Sequence, residues 1–169
     1  NAPFSGELNG NGHSVTGLTI SYNSLGYLEG YAGLVGYAGH TAYLHHLNVD
    51  GNILSDKFNC GLLLGGSWSG SRIKRCSVTA EASIGGVAGT AYQISQCEAR
   101  NVVLTTNPNN GGAGGICYNL NYYDFSDTYV SECVSSGTII SYCNMGGIVG
   151  AASFSKHIEN CFSSMVLTG

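Results

Sequence analysis

Short apolar runs of about three to six residues alternate along the whole chain with turns rich in Gly, Ser and Asn. This is the punctuation of strands and not of helices. One pattern recurs six times: apolar, two variable residues, apolar or Cys, one variable residue, then a small or apolar residue. It reads Val15-Thr16-Gly17-Leu18-Thr19-Ile20, Leu44-His45-His46-Leu47-Asn48-Val49 and Ile73-Lys74-Arg75-Cys76-Ser77-Val78. It returns as Ile94-Ser95-Gln96-Cys97-Glu98-Ala99, Val130-Ser131-Glu132-Cys133-Val134-Ser135 and Ile158-Glu159-Asn160-Cys161-Phe162-Ser163.

Two further rows keep phase with the first. Gly33-Leu34-Val35-Gly36, Leu62-Leu63-Leu64-Gly65 and Gly147-Ile148-Val149-Gly150 each end eight residues before the next motif. Gly86-Val87-Ala88-Gly89 uses a shorter turn, and Gly115-Ile116-Cys117-Tyr118 a longer one. A third row follows the last five motifs at Ile53, Ala82, Val103, Ile139 and Leu167. A unit of this size cannot bury its apolar row alone and must stack on its neighbours. The expectation is an all-β fold, a right-handed parallel β-helix (solenoid) of about six coils, with Leu18, Leu47, Cys76, Cys97, Cys133 and Cys161 as one core ladder. A leucine-rich repeat would need Leu where this motif has Cys and Val, and a helical half that is missing.

The motifs start at residues 15, 44, 73, 94, 130 and 158, in steps of 29, 29, 21, 36 and 28. The long step locates an insertion within residues 119–127.

Composition narrows the function classes. Only 9% of residues are charged and 43% are hydrophobic, so the chain is neither disordered nor a helical bundle. A net charge of -4, with three lysines and three arginines, argues against nucleic-acid binding and against a polybasic membrane patch. No apolar stretch is long enough to span a membrane. The opening Asn1-Ala2-Pro3-Phe4 implies a processed protein or an excised domain. Seven cysteines without a Cys-x-x-Cys pair argue against a zinc site, and the odd count leaves at least one thiol unpaired within the chain.

The Gly-Leu-Val-Gly blocks, the Ile-x-x-Cys-x-Val pattern and the opening Phe4-Ser5-Gly6-Glu7-Leu8-Asn9-Gly10-Asn11-Gly12-His13 together resemble GLUG-motif repeats of bacterial surface proteins. Adhesin-like proteins and immunoglobulin A-specific metallopeptidases carry such repeats. The resemblance covers nearly the whole chain and implies one repeat domain over residues 1–169, covalently part of a longer polypeptide. In the peptidases the His-Glu-x-x-His zinc motif lies outside the repeats, and this chain lacks it.

Candidate chemistry is sparse. The cysteine row reads as a buried column of small apolar side chains, since parallel strands hold Cβ atoms farther apart than a disulfide allows. Neighbours on a strand face opposite sides, so His45 and His46 are not expected to share a metal. His46, Arg75, Gln96, Glu132 and Asn160 form a solvated ladder, with Glu98 and Glu159 as the other nearby carboxylates. The best binding candidates are Tyr122, Tyr123, Asp124, Phe125 and Asp127 in the insertion, with Trp68 second. No catalytic residue, metal or cofactor is expected.

The expectation is therefore a non-catalytic extracellular module: a rigid spacer or an adhesive surface for a host or cell-surface protein or glycan, at the cell surface or secreted. The alternative is a carbohydrate-active β-helix, a polysaccharide lyase or hydrolase. An ice-binding face would want regular threonine rows, which the chain lacks.

Overall fold

Each repeat breaks its apolar pattern at the same places, and those breaks become corners. The computed structural model describes residues 2–22, 30–55, 59–67, 70–81, 84–106, 111–120, 127–152 and 157–169. Regular structure in them is all β, and every strand pairs in parallel. In chain order the strands begin β1 (Glu7–Asn9), β2 (Ser14–Tyr22), β3 (Tyr31–Ala32), β4 (Val35–Ala38), β5 (Tyr43–His45), β6 (Asn48–Ser55) and β7 (Asn59–Cys60). The middle supplies β8 (Leu64–Ser67), β9 (Arg72–Lys74), β10 (Ser77–Glu81), β11 (Ala88–Ala91), β12 (Gln93–Ser95), β13 (Glu98–Thr105) and β14 (Ala113–Gly114). The rest are β15 (Cys117–Leu120), β16 (Tyr129–Ser131), β17 (Val134–Ile140), β18 (Met145–Gly146), β19 (Val149–Ala152), β20 (His157–Glu159) and β21 (Phe162–Thr168).

Three sheets collect equivalent strands. The first runs β1-β5-β9-β12-β16-β20, the second β2-β6-β10-β13-β17-β21, and the third β4-β8-β11-β15-β19. Neighbours in a sheet come from successive repeats, so the chain visits the sheets in rotation. In-register pairing makes columns: Leu44, Ile73, Ile94 and Val130 are opposite one another in the first sheet and buried. Val49, Val78, Ala99 and Ser135 do the same in the second.

The recurring motif is not one strand. Its third residue takes a positive φ in all six motifs: Gly17 (69°) at a bulge, and His46 (52°), Arg75 (52°), Gln96 (54°), Glu132 (53°) and Asn160 (53°) at the corner. The first-sheet strand ends there, and the second-sheet strand starts two residues later. Leu47, Cys76, Cys97, Cys133 and Cys161 follow the corner. The first four are buried and Cys161 is half-buried.

Two expectations from the pattern are corrected. In the first repeat Leu8, not Val15, lies opposite Leu44, while Val15 lies opposite Val49. Leu18 therefore leaves the ladder assigned to it and sits opposite Gly51, and the place of Leu47 falls to His13, whose carbonyl accepts from Asn48 N. A β-bulge is the cause. Gly17, at φ 69°, adds one residue to β2, so Val15 and Leu18 mimic the spacing that spans a corner elsewhere. In the third row the inward residue of β13 is Leu104, opposite Ile139, and Val103 is 38% exposed. A second register shift, between Ala99 and Val102 with Asn101 at φ 50°, moves the row by one. Ala82 of that row lies outside the described residues.

The glycine blocks form the arch into the third sheet. A Cβ on Gly86 would sit 2.1 Å from the Gly115 carbonyl oxygen, and one on Gly115 would sit 2.0 Å from that of Gly147. Backbones of successive repeats touch there, which only glycine permits.

Candidate functional site

Four of the five residues of the expected solvated ladder, His46, Arg75, Gln96 and Glu132, form a series of hydrogen bonds along the corner. Because His46 turns left-handed, its ring swings beside that of His45, and the two Nδ1 atoms lie 2.7 Å apart. The expected opposite facing of the two histidines is thus corrected, since it assumed a strand through both residues. His45 is buried; its Nε2 lies 2.7 Å from Glu7 Oε1, and its ring stacks on Tyr43 at 4.1 Å, with the Arg72 guanidinium 4.7 Å from the far ring's centre. Arg75 Nη1 is 3.4 Å from His46 Nε2. Arg75 Nε donates to Gln96 Oε1 at 2.9 Å, and Gln96 Nε2 donates to Glu132 Oε2 at 2.8 Å.

One placement of protons satisfies the whole series. Arg75 can only donate and the Glu7 carboxylate can only accept. Arg75 then donates to His46 Nε2, His46 Nδ1–H donates to His45 Nδ1, and His45 Nε2–H donates to Glu7. Both imidazoles have no lone pair left for a ligand. The polar groups of this corner bind one another.

The sequence pattern missed a second place. On the outer face of the second sheet a groove of about 440 Å³ is lined by Gly17, Leu18, Thr19, Asp50, Gly51, Asn52, Thr79, Ala80, Glu81 and Asn101. The pairing explains it: Asp50 is opposite Thr79, and Asn52 is opposite both Thr19 and Glu81. The bulges at Gly17 and Asn101 flank these strands and break the flat outer surface. Gly51 forms part of the floor, where a Cβ would lie 2.1 Å from the Leu18 carbonyl oxygen. Thr19, Asp50, Asn52, Thr79, Glu81 and Asn101 are exposed, and their side chains bond to no described residue. Among the described residues no Lys or Arg lines the groove. Sequence carried one signal for it, the polar residue at alternate positions of Asp50-Gly51-Asn52 and Thr79-Ala80-Glu81.

Of the binding candidates from sequence, Asp127 is exposed, and its carbonyl accepts from Gln93 Nε2 at 3.0 Å. Trp68, Tyr122, Tyr123, Asp124 and Phe125 lie outside the described residues. Glu98 pairs with Arg100 at 2.5 Å, and Glu132 accepts from Gln96 at 2.8 Å.

No disulfide joins the described cysteines. Burial pushes the Cys117 thiol up to about 12, and burial together with the neighbouring sulfurs of Cys133 and Cys76 raises that of Cys97. A raised thiol is a poor nucleophile. Among the described residues no three His, Cys, Asp or Glu side chains are grouped to hold a metal ion, and no helix is long and apolar enough to cross a membrane. Comparison with family models, with curated proteins and with solved structures found no match.

Proposed function

We propose that this chain is a non-catalytic repeat module of a bacterial cell-surface or secreted protein. In this reading the three parallel sheets belong to a right-handed parallel β-helix that acts as a rigid spacer and carries an adhesive surface. One observation supports it most: polar side chains at the corner saturate one another from Glu7 to Glu132, while the unpartnered ones line an open groove on a sheet face. A rigid scaffold with an open polar face suits recognition better than turnover. The motifs that resemble GLUG repeats support the same assignment, because such repeats accompany larger surface proteins. The partner is then a host or cell-surface protein or a glycan. Display of the chain on beads, followed by binding to glycan arrays and to intact cells, tests the reading; a surface that captures neither removes its adhesive half.

Cleavage of polysaccharide is the second reading, favoured by the placement of two carboxylates. Asp50 and Glu81 are diagonal neighbours on adjacent strands, with Cβ atoms roughly 8 Å apart by strand geometry. Inverting glycosidases hold their carboxyl pair about 6.5–9.5 Å apart. Release of new reducing ends or unsaturated products, abolished by Asp50→Asn and by Glu81→Gln, would establish this reading in place of the first.

A further inference from the structure

We infer that the groove on the outer face of the second sheet binds a neutral, hydroxyl-rich glycan, an inference that rests on the binding-module reading and names its ligand class. The lining gives the chemistry. Two carboxylates (Asp50, Glu81), two amides (Asn52, Asn101) and two hydroxyls (Thr19, Thr79) surround one concavity, each exposed and each without a partner among the described residues. Carboxylates accept strongly from sugar hydroxyls, and amides donate and accept at once, which matches the paired donor and acceptor character of a vicinal diol.

The same inventory excludes other ligands. With two carboxylates and no Lys or Arg among the described lining residues, and with neighbouring Arg100 already paired to Glu98, a phosphate, sulfate or uronate group meets net repulsion. Among the described lining residues only Leu18 and Ala80 have apolar side chains, too little for a lipid or a drug-like apolar ligand. A basic peptide would find two separated carboxylates, both exposed, and such pairs contribute about 0–1 kcal/mol each.

Shape agrees with the chemistry. The groove runs across β2, β6, β10 and β13, three strand spacings or about 14 Å, which accommodates a short oligosaccharide. Its position on hydrogen-bonded parallel strands, with β6 and β10 in register along Asp50 to Asn52, gives it a stiff floor. A stiff groove reduces the ordering cost of binding.

The test is an NMR and calorimetric titration of wild type and of Asp50→Ala/Glu81→Ala with neutral hexose and N-acetylhexosamine oligosaccharides, a uronate oligosaccharide and an oligolysine peptide. The residues are exposed, so circular dichroism and thermal unfolding should show the variant folded; Thr105→Ala, on the same face outside the groove, is the control. Expected is binding of at least one neutral oligosaccharide, insensitive to salt, weakened about tenfold or more in the double variant and unchanged in the control. Binding of the uronate or of oligolysine alone, equal neutral-glycan binding by the double variant, or no binding of any probe overturns the inference. Mass spectrometry of the same mixtures separates the two levels: cleaved oligosaccharide overturns the non-catalytic reading, whereas absent binding with intact probes overturns the ligand assignment and leaves the spacer role standing.

Discussion

His45 Nδ1 and His46 Nδ1 lie 2.7 Å apart because His46, at φ 52°, turns the corner that His45 approaches as a strand residue. The contact joins a buried ring to an exposed ladder, and it ties the first repeat, through Glu7, to the third, through Arg75. With both rings neutral, proton-coupled nitrogen spectra should show His45 carrying its proton on Nε2 and His46 on Nδ1. Arg75→Met should lower the Nδ1–H fraction of His46 and cost about 0.5–1 kcal/mol, a fall in Tm of about 1–4 °C. His45→Ala, which also removes the stack on Tyr43 and leaves the site open, should cost about 1–3 kcal/mol. A wild-type spectrum with both protons on Nε2 would contradict the series.

Close backbone approach, and not turn flexibility alone, fixes the glycine arches. Gly115 has the Gly147 oxygen 2.0 Å from where its Cβ would be, with the buried Ser135 Cβ at 2.9 Å, so Gly115→Ala must push two repeats apart. It should cost about 3 kcal/mol or more. Gly12, at φ 80° with nothing within 4 Å of a Cβ, should lose only about 1–2 kcal/mol to backbone strain when changed to Ala. Urea unfolding of both variants checks the order; equal losses would mean that the arch relaxes.

The thiols make stability depend on alkaline pH. Cys117 is raised from 9.0 to about 12 by burial, so its protonated form is the one the fold stabilises. That contribution is complete below 9.0, where the unfolded chain is protonated too, and is lost as pH climbs from 9.0 toward about 12. One unit above 9.0 the loss from this thiol is about 1.4 kcal/mol. Cys97, raised by burial, adds to the same slope, while Cys76 and Cys133, held below the ordinary value by hydrogen bonds to Cys97, oppose it. Between neutral pH and about pH 10 the urea midpoint of the wild type should therefore fall relative to that of Cys117→Val, which copies Val149 opposite it. In the native protein a thiol reagent should modify exposed Cys143 quickly and half-buried Cys161 slowly, and the five buried thiols only after denaturation.

What was legible in the sequence was periodicity. In-phase spacing of Leu44, Ile73, Ile94, Val130 and Ile158 matches the strand pairing, and after each corner the carbonyls of Cys76, Cys97 and Cys133 accept from Glu98, Val134 and Phe162 of the next repeat. Spacing alone cannot tell a corner from a bulge, because both put inward residues three apart; that is why Val15 and Leu18 looked like Leu44 and Leu47. Nor does a motif announce its backbone conformation: a His, an Arg, a Gln, a Glu and an Asn share one left-handed position, with no glycine to mark it. The groove was hidden for the same reason. Asp50, Glu81 and Asn101 lie 20 or more residues apart in sequence, and only register and two bulges bring them to one surface.

The bulge at Asn101 yields the sharpest test of that register. Without it, Val103 would point inward with Ile53 and Ile139, and Leu104 would face solvent. With it, Leu104 is fully buried opposite Ile139, and Val103 is 38% exposed opposite Glu81 and Thr138. Leu104→Ala should then cost about 2–5 kcal/mol, since it opens a cavity between two stacked repeats. Val103→Ala should stay within about 0.5 kcal/mol, as surface changes do. Equilibrium unfolding in urea distinguishes the two cleanly. If Val103→Ala is the costlier change, β13 is one residue out of the register described, Asn101 turns away from Glu81, and the groove between them loses its wall.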